Sequence, residues 1–157
     1  MQWTKENLNF DEMQRLLNKL AEQVKAFHTL TTGEIAELLA NADKCTYAAG
    51  ATIVKEGSVG DYMYIIFEGE ALVTKQSHRG ETELAYLAAA DSFGEMALAD
   101  HAARSATVIT LTPCVLVRLD EPTLFGNPAL AMKIYRNIAK LLSERLRSTD
   151  DLLAWRL

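Results

Sequence analysis

Between Ser92 and Val108 the chain reads Ser92-Phe93-Gly94-Glu95-Met96-Ala97-Leu98-Ala99-Asp100-His101-Ala102-Ala103-Arg104-Ser105-Ala106-Thr107-Val108. These residue types, in this order, suit a small anionic ligand that carries a ribose. A glycine opens a short helix, and Glu95 falls in its first turn. The first amides of a helix have no intrahelical partners and point outward. With the helix dipole they attract anions. Gly94 has no Cβ, so a ligand can approach the backbone there. Arg104 offers a planar fork of donors that matches two phosphate oxygens, and Ser105 adds a hydroxyl. Ionised Glu95 can only accept hydrogen bonds, so it suits a hydroxyl and not a phosphate. A ribose whose phosphate bridges the 3′ and 5′ oxygens keeps one free hydroxyl, the 2′.

This segment resembles the phosphate-binding cassette of the cyclic nucleotide-binding domain family. That family includes the bacterial catabolite activator proteins, the kinase regulatory subunits and the nucleotide-gated channels. Its pattern is roughly F-G-E-x-A-L, a short loop, then R-[ST]-A-T-V. Phe93-Gly94-Glu95, Ala97-Leu98 and Arg104-Ser105-Ala106-Thr107-Val108 supply it. The resemblance implies that Glu95 takes the ribose 2′-hydroxyl and Arg104 the cyclic phosphate. It also implies that Ser105 and the amides near Glu95 and Met96 complete the cradle. The implied binding set is Phe93, Gly94, Glu95, Met96, Ala97, Arg104, Ser105, Ala106 and Thr107. In the family a threonine right after the arginine is associated with reading the guanine amino group. Ser105 keeps a hydroxyl there, so some cGMP binding is expected beside a preference for cAMP. Many members have a glycine in the loop and a proline before the arginine. Here the loop is Asp100-His101-Ala102-Ala103, which predicts a less rigid loop.

The whole chain sets the frame. At 157 residues it reads as one domain, 49% hydrophobic and 24% charged, a globular composition with enough apolar residues for a core. Its formal charge is −5. An acidic balance is not that of a general nucleic-acid binder, so attraction for an anion has to be local. Cys45 and Cys114 lie in strand-like runs and read as reduced core residues of a cytoplasmic protein. Glu6, Asp11 and Glu12 come early and no long apolar run follows, which argues against a secretory signal and a spanning helix.

Around the cassette the texture changes twice. Residues 11–27 predict one helix, with Met13, Leu16, Leu17, Leu20, Ala21, Val24 and Phe27 on one apolar stripe. A second helix is predicted over 32–40, with Thr31 and Glu34 at capping-box spacing and Ile35, Leu38 and Leu39 facing inward. From 44 to 120 the pattern is short β-prone runs between turn residues: 51–55, 62–67, 71–75, 83–87, 107–112 and 114–119. Short strands at this spacing point to a sandwich or a jelly-roll barrel. Lys55-Glu56-Gly57-Ser58-Val59-Gly60-Asp61, followed by Tyr64-Ile65-Ile66 and Gly69, matches the family's second landmark. Its glycines read as turn formers with no ligand role. The resemblance covers about residues 24–147.

After Glu121 the chain turns helical again. A short turn is predicted at 121–125. Asn127 suits an N-cap and Pro128 a first helical position. Ala131, Ile134, Tyr135, Ile138, Leu141, Leu142 and Leu146 then form a stripe. Ser148-Thr149-Asp150-Asp151 interrupts it, and Leu152, Leu153 and Trp155 resume it. In the family's transcription factors the equivalent helix pairs two subunits and reaches over the ligand base. The resemblance therefore implies a homodimer through this helix, although Arg145 interrupts the seam. Position and composition suggest Leu152 and Trp155 as a lid with Gly126 as its pivot, and Thr149 lies near where some relatives place a base-contacting hydroxyl.

The expected fold is mainly β: a jelly-roll β-barrel (44–120) with N-terminal helices (1–43) and C-terminal helices (121–157). The expected function is a cyclic nucleotide-binding regulatory module that moves its C-terminal helix, with cAMP or cGMP as ligand. The alternatives are a ligand-free scaffold with a relic pocket and a fragment of a larger DNA-binding regulator. Too few residues follow Asp120 for both the long helix and a helix-turn-helix domain, so none is expected in this chain. A metal enzyme on a similar barrel would need clustered ligands, and His28, His78 and His101 have no such spacing. Asp100-His101 near Ser105 lacks a strained nucleophile turn, so no catalytic residue is assigned and His101 reads as a solvated loop residue.

Overall fold

The computed structural model describes residues 10–156; for Glu12, Thr149 and residues 151–156 it describes the backbone alone. Among the described residues the strands are β1 Asp43–Tyr47, β2 Thr52–Val54, β3 Tyr62–Glu68, β4 Ala71–Ser77, β5 Gly80–Leu87, β6 Ser92–Phe93, β7 Thr107–Thr110 and β8 Cys114–Asp120. They form two four-stranded sheets, ordered β1-β8-β3-β6 and β2-β7-β4-β5. Every pairing is antiparallel. Each sheet takes strands from distant parts of the chain, as a jelly roll does. The helices are α1 Phe10–Gln23, α2 Thr32–Ala40, α3 Ala97–Asp100, α4 Glu121–Phe125 and α5 Pro128–Arg156.

Strand β3 is apolar at almost every position because it is covered on both faces. Successive residues of a strand point to opposite sides. Met63 and Ile65, with Val117 and Leu119 of β8, join the helical core of Leu20, Phe27, Ile35, Leu39, Leu124, Ile134 and Ile138. Tyr64 and Ile66, with Leu116, face the barrel interior beside Ala71, Phe93, Val108 and Cys114. A strand exposed on one face would alternate with polar residues; this one cannot.

The helix expected over 11–27 breaks. α1 stops at Gln23, Val24 is extended (φ −83, ψ 104), and Lys25–Phe27 forms a 3₁₀ turn. The periodicity continues across the break because Val24, Ala26 and Phe27 still go into the core. The α2 cap is as read from the sequence. Glu34 N–H donates to Thr31 Oγ1 at 3.2 Å, and Thr31 N–H donates to Glu34 Oε1 at 3.0 Å. Lys133 Nζ reaches the same carboxylate at 2.8 Å. Chiefly through this lysine, Glu34 is held below the usual carboxylate range.

Two strands lie outside the β-prone runs. β1 mixes polar and apolar residues, and β6 is two residues long. Both are made by their partners: β1 pairs with β8, and β6 with β3. Cys114 is buried, but Cys45 is only half-buried; both are free thiols. Burial pushes the Cys114 thiol up.

Asn127 caps α5 as expected, with its Oδ1 accepting from Leu130 N–H at 3.2 Å. α5 then runs without a break through Ser148–Asp151 to Arg156. The polar cluster interrupts the apolar stripe and not the backbone ladder, since polar side chains leave that ladder intact. Ser148 Oγ even donates to Glu144 O, four residues back. The first half of α5 is pinned. Ile134, Ile138 and Leu141 are buried. The Asn137 amide donates to Ala26 O and to Thr29 Oγ1, both at 2.9 Å. Gly126, expected as a pivot, has an ordinary helical conformation (φ −60, ψ −23).

Ile65 is fully buried in the helical core, so Ile65→Ala should cost about 2–5 kcal/mol through lost burial and a residual cavity. Thermal unfolding should show this as a lowered midpoint, at about 2–4 °C per kcal/mol for a chain of this size. An unchanged midpoint would mean that the sheet is not shared between two cores.

Candidate functional site

Arg104 is held at both ends. Its N–H donates to Ser58 O at 2.7 Å, and its carbonyl accepts from Gly57 N–H at 2.8 Å. An isolated bridge pairs the neighbouring Ala103 with Val59. Further out, Arg104 Nη2 donates to Tyr62 O, at the start of β3, at 2.8 Å. The guanidinium runs against two glycines. A Cβ on Gly94 would lie 2.6 Å from Nη1, and one on Gly60 would lie 2.8 Å from Nη2. Gly94 also has φ +80, which other residues rarely adopt. Sequence reasoning gave Gly94 the task of admitting a ligand and gave Gly60 a turn. The structure shows both making room for Arg104.

Glu95 is braced as well. Ser92 Oγ donates to its Oε1 at 2.9 Å, a contact that sequence reasoning missed. The helix that follows is a single turn. Ala97 N–H bonds Gly94 O at 3.1 Å, and Leu98 N–H bonds Glu95 O at 3.2 Å. The amides of Glu95 and Met96 form the open end of that turn. Ala97 and Leu98 are buried and anchor it. Tyr135 of α5 donates from its hydroxyl to Leu98 O at 3.1 Å, so α5 touches the cassette.

The loop without glycine or proline is braced by other means. His101 takes the left-handed conformation, φ 51. Its Nδ1 lies 3.0 Å from Asp61 Oδ1, and its Nε2 lies 2.8 Å from Glu121 Oε2. Asp100 Oδ1 accepts from Ala102 N–H at 3.0 Å. His101 is the exposed loop residue expected, but it is also tied on both ring nitrogens.

Two adjoining hollows meet at the cassette. One, of about 370 Å³, is lined by Val54, Val73, Leu84, Ser92, Phe93, Gly94, Glu95, Arg104, Ser105, Ala106, Val108 and Arg145. The other, of about 180 Å³, shares Gly94, Glu95, Arg104, Ser105 and Arg145 and adds Met96 and Ala97. Thr107 lines neither; its Oγ1 accepts from Glu56 N–H at 2.9 Å. The structure thus gathers eight of the nine expected residues. The side chains of Thr149, Leu152 and Trp155, expected as a lid, lie outside the described residues.

The apolar walls Val54, Val73, Leu84 and Val108 were missed, as was Arg145. The walls come from all four strands of one sheet, β2, β7, β4 and β5, and only the register brings them together. Arg145 did leave a trace in the sequence. It follows Leu141 by four residues and Leu142 by three, so it continues their face of the helix past the point where that face leaves the core. The charge that looked like a flaw in the seam marks where α5 passes the hollow.

Two larger hollows lie elsewhere. One, of about 520 Å³, has Glu37, Asp120 and Asn127 among its lining residues and no cation. The other, of about 630 Å³, has Lys25, Arg136 and Lys140 on exposed positions. Neither sets a half-buried arginine and a half-buried carboxylate against apolar walls, which is what a phosphate, a hydroxyl and an aromatic base together require. Among the described residues, no cluster of His, Cys, Asp or Glu is placed to hold a metal, and no helix is long and apolar enough to cross a membrane.

Residues 44–126 match the family model of the cyclic nucleotide-binding domain. The chain belongs to that family. A cyclic nucleotide-binding domain is a ligand-binding unit, and this one has the relatives of such a unit. It is 27% identical over 139 residues to the CRP-like cAMP-activated global transcriptional regulator of Mycobacterium tuberculosis, covering 88% of this chain and 62% of that protein. It is 33% identical over 128 residues to the cAMP-dependent protein kinase regulatory subunit of Schizosaccharomyces pombe, covering 79% of this chain and 30% of that protein. The crystal structure of Thermus thermophilus catabolite activator protein superposes with a TM-score of 0.74 at 29% identity, covering 83% of this chain and 63% of that one. The domain thus spans under two thirds of each of these relatives.

Gly94→Ala forces a Cβ into left-handed backbone and onto the Arg104 guanidinium. The conformational part alone should cost roughly 1–2 kcal/mol. A lower unfolding midpoint in a thermal melt checks this. A variant as stable as the parent would contradict the packing of Arg104 against Gly94.

Proposed function

We propose that this domain binds a cyclic purine nucleotide, cAMP in preference to cGMP, and reports occupancy through α5. One observation carries the reading: a braced arginine and a braced carboxylate, Arg104 and Glu95, line the same hollow. In this reading the cyclic phosphate takes the free donors of Arg104, the Ser105 hydroxyl and the amides of Glu95 and Met96. The ribose 2′-hydroxyl donates to Glu95. The base lies against Val73, Leu84 and Val108 with Arg145 above it. Phe93, Ala97 and Ala106 shape the floor, and no covalent step is involved. The cAMP preference is supported by the names of the mycobacterial and yeast relatives.

The output is proposed to run through the distal half of α5. Its proximal half is tied down by Lys133, Asn137 and the buried isoleucines, so closure over the ligand falls to the part beyond Leu142. A ligand drives closure only by binding the closed arrangement better than the open one. Pairing of two copies along α5 belongs to the same proposal.

Removing one partner of a buried charged contact costs about 2–5 kcal/mol. At about 1.4 kcal/mol per tenfold, Arg104→Ala should weaken cAMP binding by about 30-fold or more in a calorimetric titration. Glu95→Gln should lose less, and mainly for cAMP over its 2′-deoxy analogue. Unchanged affinity in folded Arg104→Ala, or tighter binding of cGMP than of cAMP, would overturn the corresponding part of the reading.

Trp3 and Trp155 are the two tryptophans, so Trp3→Phe leaves a reporter on distal α5. Saturating cAMP should shift the Trp155 emission maximum or reduce its quenching by iodide. Binding seen by calorimetry with both signals unchanged would exclude closure by that segment.

A further inference from the structure

We infer that His101 is a proton-dependent clasp, a positioning residue that fixes the cassette loop between the turn before β3 and the start of α4. The geometry carries this. His101 follows α3 directly and stands three residues before Arg104. Its two ring nitrogens meet two carboxylates from separate elements, Asp61 at 3.0 Å and Glu121 at 2.8 Å. A carboxylate accepts and does not donate, so both contacts are hydrogen bonds only when both ring nitrogens carry protons. That is the imidazolium. The neutral ring has one N–H and one lone pair, so one of the two carboxylates then faces a lone pair and is repelled.

The surrounding groups agree. Asp61 comes from the turn before β3, and Glu121 opens α4. On the loop itself, the neighbouring Asp100 is engaged with Ala102 N–H. The Tyr135 phenol of α5 lies near Glu121 and stays neutral, since burial and then Glu121 raise it. The ring therefore faces two negative charges and no described positive one. The hydrogen bonds to Asp61 and then Glu121 hold His101 above its ordinary range, against the opposing effect of burial. Two carboxylates on opposite sides of one ring cannot share a metal ion through it, so the arrangement answers to protons and not to a cation.

The sign follows from the raised value. A histidine whose folded form holds its proton more tightly adds stability that is fully present below its unfolded pKa of about 6.5. That contribution is lost as pH rises through the raised folded value. The imidazole is about half exposed, 48% for its side chain, so the proton exchanges freely with solvent. The clasp is therefore closed in mildly acidic solution and opens as pH rises through that raised value. When it opens, the loop loses the brace to Asp61 and Glu121. Arg104 and Ser105 then lose a fixed approach to the hollow. The consequence for nucleotide affinity rests on the function proposed above; the clasp itself does not.

Two measurements on the ligand-free protein test the clasp. In the first, NMR titration of the His101 ring should give a pKa that falls in both Asp61→Asn and Glu121→Gln. In the second, hydrogen exchange at residues 97–104, corrected for the intrinsic pH effect, should be slower at pH 6 than at pH 8.5. That difference should vanish in His101→Asn, a replacement that tolerates left-handed backbone. A His101 pKa unmoved by both carboxylate variants, or equal pH sensitivity of exchange in parent and His101→Asn, overturns the proposal. In a third measurement, cAMP affinity of the parent should weaken severalfold between those pH values and that of His101→Asn should not. The cyclic phosphodiester keeps its charge throughout, so a difference reports on the protein. A pH response equal in both proteins would also overturn the clasp. Absence of binding at every pH would instead defeat the proposed function and leave the first two measurements to decide the clasp.

Discussion

The shared burial of β3 and β8 is the constraint on which the rest depends. Their sheet is the wall of the barrel on one side and the floor of the helical core on the other. Neither β3 nor β8 can move without opening both. The site is hung from this wall. Tyr62, at the start of β3, supplies the carbonyl that holds Arg104. Tyr64 stacks on Phe93 with ring centroids 5.1 Å apart, which places the first residues of the cassette. Asp120, at the end of β8, accepts from Thr123 N–H at 3.0 Å and starts α4. Cassette and α4, which leads on to α5, thus issue from one sheet and share one frame.

On that frame the polar groups of the site are set in advance of any ligand. The Arg104 side chain keeps one hydrogen bond to the backbone and lies in a slot walled by Gly60 and Gly94. Glu95 keeps one hydrogen bond to Ser92. Each retains further donors or acceptors for a guest. Fixing a long side chain before binding removes an entropic cost from the binding step. It also solves the problem raised by the charge. A chain of net −5 does not draw an anion by its overall field, so affinity must come from a few donors held close and partly out of water, where electrostatic contacts are stronger.

α5 shows the same economy in its polar positions. Asn127 caps it, Lys133 ties it to the α2 cap, Asn137 ties it to the 3₁₀ turn, and Arg145 reaches the hollow. Read along the helix, these residues step from structural anchors to a group facing the site. The apolar stripe between them supplies adhesion, and the polar residues decide register and reach. That division makes the far half of the helix the natural part to answer to a ligand.

Much of this was legible in the amino-acid sequence. The cassette motif is contiguous, so its residue types and their order were readable without coordinates, and eight of the nine residues it pointed to line one or other of the two adjoining hollows. Helix caps such as Thr31 with Glu34, and Asn127 before Pro128, are local hydrogen-bond patterns and were readable for the same reason. The jelly-roll class followed from short β-prone runs between turns. What escaped was non-local. Strand β6 exists because β3 offers it an edge. Val54, Val73, Leu84 and Val108 form a wall because four strands are placed in register. Gly60 is needed because an arginine over forty positions away lies against it. His101 looked like a solvated loop residue because its two partners are 40 and 20 residues distant. The break at Val24 was invisible because periodicity reports which residues are buried, and not whether the backbone between them stays helical. The sequence alone determined which chemistry the chain could do and which faces had to be buried, since residue type and short-range spacing decide both. Tertiary structure decided which distant groups meet, because pairing register and the closing of two cores over one sheet are set by the whole chain at once.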